Sequence, residues 1–224
     1  MIRNKDHWYD GWFYDKIIAP NQDRLFEEIK NLIKPQLKVV DVGCGTGRLA
    51  FTLYDKCDSV LGIDLSRRNI EMAKLTLSKN LVKNISFRHG DLDEVMTEEQ
   101  IQHFNYATLT YVIHEVSEHE RIKLLHEIAQ ISDYIIMGDY LVPKVKGFGS
   151  LVNGLIEFIA GKEHYQNYKS YISAGGLKFL ADRAGFKIVY EMKRHAFNNH
   201  ILILATDKGS GTNSLHFPSA QLIN

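Results

Sequence analysis

Along residues 22–33 the apolar positions Leu25, Ile29, Leu32 and Ile33 recur at the three-and-four spacing of a helix, and Pro35 closes the segment. Three short apolar, β-branched runs follow: LKVVDV (37–42), SVLGIDL (59–65) and NISFRHGD (84–91), each bounded by glycine or polar residues, and each predicts a strand. Between them, residues 46–56 and 66–80 carry helical periodicity, with Ser66 placed as an N-cap. FNYATLT (104–110) predicts a fourth strand. A helix follows over 117–131, where Ser117 and Glu120 fit a capping box, and then a fifth strand, DYIIMGDY (133–140). Beyond Pro143 the rhythm breaks until about Ser173, which predicts an insertion or lid over 143–173. GGLKFLADRAGF (175–186) then reads as a helix ending at Gly185, and residues 187–197 and 199–207 as two strands joined by a short asparagine turn.

Strand alternating with helix buries a mostly parallel sheet between helix layers, with ligands at the carboxyl ends of the strands. The pattern therefore predicts an α/β, doubly wound, seven-stranded and mostly parallel sheet with helices on both faces and a C-terminal antiparallel hairpin strand. Residues 1–206 form one domain in this reading, with 1–35 as an aromatic and helical flap. The Gly/Ser/Asn-rich residues 207–224 are expected to be a flexible tail.

Charge narrows the partners. Lys and Arg number 27 and so do Asp and Glu, so no overall positive field exists to hold a polyanion, which argues against nucleic acid. Cys44 and Cys57 form neither a disulfide framework nor a metal-ligand spacing, and no metal is expected. The charged, aromatic N-terminus lacks the apolar stretch of a secretory signal, and 148–161 is interrupted by Asn153 and Glu157 and too short to span a bilayer. A cytoplasmic protein is expected, monomeric or homodimeric.

The chemistry concentrates around GCGTG (43–47). A dinucleotide fingerprint needs a third glycine where this chain has Arg48; the spacing is instead Gly43, Gly45, Gly47, with Asp41 two residues ahead. Backbone N–H groups bared at a helix start favour an anion such as a carboxylate. Asp64, at the end of the second strand, suits a ribose diol because a carboxylate accepts from two hydroxyls at once, and Asp91, after the third, is placed to accept from an exocyclic amine.

In order and spacing, VVDVGCGTGRLA, VLGIDLS, HGDLDEV and TLTYVIHEV resemble the class I S-adenosylmethionine-dependent methyltransferases, over roughly residues 37–206. The resemblance implies a Rossmann-like fold and S-adenosyl-L-methionine as cofactor. It implies that Gly43, Gly45 and Gly47 approach the methionine part and that Asp41 supports them. Asp64 would bind both ribose hydroxyls, Asp91 would contact the adenine amine with Leu92 packing nearby, Leu65 is a further cofactor-binding candidate, and Thr110 would border the site of methyl transfer. Two departures matter. Many members begin the fourth strand with FD where this chain has Phe104-Asn105, and YVIHEV lacks the N/D-P-P-Y/F signature of enzymes that methylate base amines.

Methyl transfer is an in-line displacement, so positioning supplies much of the rate, and an oxygen or carbon acceptor gains further from a base. His164, Tyr168 and Tyr171 fall at i, i+4 and i+7, which puts them on one helix face either as acceptor-binding groups or as core. His164 with Tyr168, and His114 after the fourth strand, are the candidate catalytic groups. The surrounding EHYQNY and GGL resemble an element of a subgroup of small class I methyltransferases. Among the N-terminal aromatics, Tyr9 and Tyr14 are candidates to face the cofactor sulfonium through their rings. Taken together, the expected function is methyl transfer to a small molecule; a protein or RNA acceptor and a non-catalytic cofactor-binding module are the alternatives.

Overall fold

The structure, a computed structural model, describes residues 19–99, 103–143, 162–195, 198–209, 217 and 222–223. The chain divides into two compact units, Met1–Thr108 and Leu109–Asn224. Among the described residues no helix is long and apolar enough to cross a membrane.

The first unit holds α1 (Ala19–Leu32), β1 (Lys38–Val42), α2 (Arg48–Leu53), β2 (Ser59–Asp64), α3 (Arg67–Ser78), β3 (Ile85–His89), α4 (Leu92–Glu99) and most of β4 (Phe104–Thr110). Its strands run parallel in the order β3-β2-β1-β4, with Val40 opposite Leu61 and Asp41 opposite Thr108. Val39, Val40 and Val42 are all buried, as parallel strands covered on both faces require. This register sets the carboxyl ends of β1, β2 and β3 side by side. The N–H groups of Gly43 and Cys44 donate to Ile63 O at 2.8 and 3.0 Å, and that of Gly90 to Asp64 O at 3.1 Å, so three loops leave one edge together. Ser66 caps α3 as expected, accepting from Asn69 N at 3.3 Å. Periodicity did not predict α4; its start is made by Asp91 Oδ1, which accepts from Glu94 N at 2.8 Å.

The second unit holds α5 (Glu118–Ala129), β5 (Ser132–Tyr140), α6 (Lys162–Ala174), α7 (Gly176–Arg183), β6 (Lys187–Arg194), β7 (Asn199–Ala205) and β8 (Leu222–Ile223). β7 lies antiparallel to both β5 and β6, from Tyr134 opposite Ala205 to Tyr140 opposite Asn199, and all seven of its positions are buried. The parallel sheet with antiparallel C-terminal strands matches the expected α/β class.

Three expectations are corrected. The capping box at α5 does not close: the Ser117 hydroxyl donates to the Glu120 carboxylate, and no side chain caps the helix. The tail is not wholly loose, since Leu222–Ile223 pairs with β6 and Phe217 packs edge-on against Tyr134 at 5.2 Å. The later part of the expected lid is α6, a packed helix on which Tyr168 and Tyr171 are fully buried; residues 144–161 of that segment lie outside the described residues.

Candidate active site

In the first unit the loop after β1 is built from backbone. Gly43, Gly45 and Gly47 take φ of 73, 55 and 83°, a left-handed conformation that glycine adopts without steric cost. At Gly47 space also demands glycine, because a Cβ would lie 2.4 Å from the Phe87 ring. The close helix-to-strand approach that a dinucleotide fingerprint assigns to the position of Arg48 is therefore made one residue earlier. Arg48 turns to α1 instead, donating to Gln22 Oε1 at 3.2 Å, pairing with Asp23 and lying over the Phe26 ring. Among the described residues a Cβ at Gly45 would meet nothing within 4 Å, which leaves this backbone open to a ligand.

Two carboxylates frame the loop. Asp64 accepts from Gly45 N through Oδ2 and from Ser66 N through Oδ1, both at 2.8 Å. Burial raises its pKa, and these two N–H groups oppose the shift. Asp41 sits at 1% exposure; its Oδ1 accepts from the Thr108 hydroxyl at 2.7 Å, while among the described residues Oδ2 is buried with no hydrogen-bond partner. Desolvation pushes its pKa up to about 7, opposed by the Thr108 bond. An orphaned buried oxygen beneath an open loop of glycines fits a cationic or hydrogen-bond-donating group of a ligand. Leu65 is half exposed beside Asp64, Asp91 is exposed with one oxygen engaged at α4, and Leu92 is buried behind it. Tyr9 and Tyr14 lie outside the described residues.

The second unit carries a polar cluster of its own. Thr110, half-buried, ends β4 and begins the turn to His114. His114 and Asp139 are buried at 2% and 1%, with Nδ1 and Oδ1 2.7 Å apart, and Asp139 Oδ1 also accepts from its neighbour Tyr140 N at 2.7 Å. The rings of Tyr140, Tyr168 and Tyr171 stand 4.9, 6.0 and 6.2 Å from the imidazole. Tyr171 donates to Tyr140 O at 3.0 Å, and burial raises its pKa well above the ordinary phenol value. His164, also buried, shares the inner face of α6 with Tyr168 and Tyr171, as its spacing predicts. His114 is thus paired with a buried carboxylate.

Asp139 was not singled out by the sequence reading. Its signal was a charge inside the apolar run YIIMGDY, which only a buried partner explains. Arg121 was missed as well. At 0% exposure its Nε donates to Ile113 O and Val116 O, and its guanidinium continues to Asn167 O at 2.6 Å, which holds α6 against the turn carrying His114.

Residues 39–132 match a family model described as methyltransferase domain. The chain is 26% identical over 122 residues to the O-antigen chain terminator bifunctional methyltransferase/kinase of Escherichia coli, covering 51% of this chain and 17% of that protein. It is 32% identical over 81 residues to the ubiquinone biosynthesis O-methyltransferase of Acinetobacter baylyi, covering 36% of this chain and 34% of the relative. The matches thus span about a third or less of those curated relatives. Among solved structures, magnesium protoporphyrin IX methyltransferase from Synechocystis PCC 6803, with bound SAH, is similar with TM-score 0.62 and 20% identity over 89% of this chain and 91% of that one. The mitomycin 7-O-methyltransferase is similar with TM-score 0.63 and 13% identity over 86% and 56%. At these identities the likeness shows the fold alone, a Rossmann-like α/β arrangement.

Proposed function

We propose, for a chain whose residues 39–132 match a family model described as methyltransferase domain, that it is an S-adenosylmethionine-dependent methyltransferase acting on a small-molecule acceptor. The observation that carries this reading is Asp64, held by the N–H groups of Gly45 and Ser66 at the edge of the glycine loop. S-adenosylmethionine, when bound, supplies an electrophilic methyl group on a sulfonium. Asp64 keeps acceptor capacity for a ribose hydroxyl beside the bonds it takes from Gly45 N, Ser66 N and the Asn69 side chain. Asp41 offers its unpartnered Oδ2 to the cationic amino end of the cofactor, Leu65 and Leu92 offer apolar surface to the adenine, and Asp91 retains one oxygen for the exocyclic amine. Gly43, Gly45 and Gly47 let the chain present bare backbone to the methionine portion.

His114 is the candidate base. Asp139 accepts from Nδ1–H and so fixes the tautomer in which Nε2 is the basic nitrogen, an arrangement suited to taking a proton from an acceptor hydroxyl. Tyr168, whose ring stands 6.0 Å from the imidazole, helps keep water from it, and His164 is buried on the same helix. Thr110 stands at the strand end that the family resemblance assigns to methyl transfer. The balanced charge favours a small acceptor over a nucleic acid, and the two buried free thiols fit a reducing cytoplasm, with the protein as monomer or homodimer.

Titration calorimetry with S-adenosylmethionine tests the first half: the wild-type chain binds, and Asp64→Ala binds about tenfold to a hundredfold more weakly through lost charge-assisted hydrogen bonds. Absence of binding to the wild type ends the proposal. For the second half, Asp139→Asn is expected to lower turnover and displace the pH profile of kcat while cofactor affinity stays unchanged, because its carboxylate pairs with His114 and with none of the proposed cofactor residues. An unaltered pH profile removes the base role.

A further inference from the structure

The second unit buries more polar chemistry than proton removal at His114 uses. Asn198 joins β6 to β7 at a φ of 53° and 7% exposure. Its backbone is satisfied, with N donating to His195 O at 3.3 Å and O accepting from Leu141 N at 2.8 Å. Its side chain is not: among the described residues both Oδ1 and Nδ2 are buried without a hydrogen-bond partner, as is Oδ2 of Asp139. The neighbours are engaged. Asn199 Oδ1 accepts from the Tyr111 hydroxyl at 2.8 Å, and His200 Nε2 meets Glu191 Oε1 at 3.0 Å. The β5–β7 register sets Asp139 opposite His200, and the Leu141 bond sets Asn198 two positions further along the same strand pair.

A left-handed turn explains why asparagine or glycine stands at 198, since both tolerate this φ. It does not explain burial of the amide, because each buried polar group left without a partner costs about 1–3 kcal/mol and glycine would carry no such cost. Among the described residues nothing supplies that partner, which leaves the amide available to a ligand. An amide offers both a donor and an acceptor, and Asp139 Oδ2, as part of a carboxylate, is an acceptor only.

We propose that Asn198, with Asp139 Oδ2, forms a specificity-determining subsite that reads a neutral group able both to donate and to accept hydrogen bonds, a hydroxyl or a carboxamide, on the methyl acceptor. The role as acceptor subsite rests on the methyltransferase reading; the recognition chemistry does not. An anionic group is disfavoured there, since it offers no hydrogen to the carboxylate oxygen.

The test compares the wild-type full chain with Asn198→Gly, which preserves the turn, using phenol and benzamide as probes and benzoate as the anionic control. Thermal unfolding reads stability, and protein-observed NMR titration reads binding. The expected result is that Asn198→Gly unfolds at the same or a higher temperature, that phenol or benzamide binds the wild type, and that this binding weakens about tenfold in the variant through loss of an amide partner. Benzoate binds more weakly than benzamide. The proposal is overturned if neither neutral probe binds the wild type, if the variant binds them equally, if benzoate binds as well as benzamide, or if the variant is markedly less stable. Failure of S-adenosylmethionine to bind would end the methyltransferase reading and leave a positive probe result standing, whereas failed probes with intact cofactor binding would end only the role of Asn198.

Discussion

At Asp41 a single carboxyl couples the glycine loop to pH. Unfolded, it releases its proton near 3.8; folded, burial delays this to about 7. Between those values the folded chain binds more protons than the unfolded one, so this group's contribution to stability is present in full below about 4, declines as pH rises, and is lost above about 7. Urea unfolding of the ligand-free protein across this window is expected to show that decline, and Asp41→Asn to flatten it. A wild-type profile as flat as the variant's would mean that water or rearrangement relieves the buried charge. The glycines, Asp64 and Asp91 were legible in the sequence because each stands at a strand end, where local pattern alone fixes position. Asp139 and Asn198 were not, because their meaning depends on partners brought in by tertiary pairing: His114 lies 25 residues before Asp139, and Leu141 lies 57 before Asn198.

Among the elements, the contrast is between α3 and α6. The start of α3 was readable from Ser66, whose hydroxyl acts three residues away. The placement of α6 depends on Arg121, which in sequence looks like one more charge on an amphipathic helix and in the structure is wholly buried. Desolvation lowers its pKa, opposed by Glu118 and Asp139, and its donors serve three backbone carbonyls. Arg121→Met would strand those carbonyls, at a cost of roughly 3 kcal/mol or more when each loses about 1–3 kcal/mol. Lysine would not restore them, since a single ammonium cannot reproduce the guanidinium fork. Urea unfolding of both variants checks the cost; a loss under about 1 kcal/mol, the range of an exposed pair, would show that α6 is held by its tyrosines instead. The same burial explains why an expected lid proved in part to be core: Tyr168 and Tyr171, placed on one face by spacing, meet His114 and Tyr140.

For the molecule as a whole, the two units divide the chemistry, with the proposed cofactor residues in the first and the His114–Asp139 pair in the second. A ligand that binds only the folded chain stabilises it by mass action, about 2.7 kcal/mol at a hundredfold excess over its Kd. S-adenosylhomocysteine, which lacks the reactive methyl, reports this without turnover. Local protection separates direct contact from global stabilisation, because segments that open by local fluctuation gain protection only where the ligand closes them. Amide hydrogen exchange of the full chain with S-adenosylhomocysteine is therefore expected to slow first at residues 43–48, 64–66 and 90–95, the loops that leave the carboxyl edge of β1, β2 and β3. Asp64→Ala should abolish that local slowing while its own global stability stays measurable. Slowing spread evenly over the chain, or confined to residues 109–143, would place the ligand elsewhere than at the glycine loop.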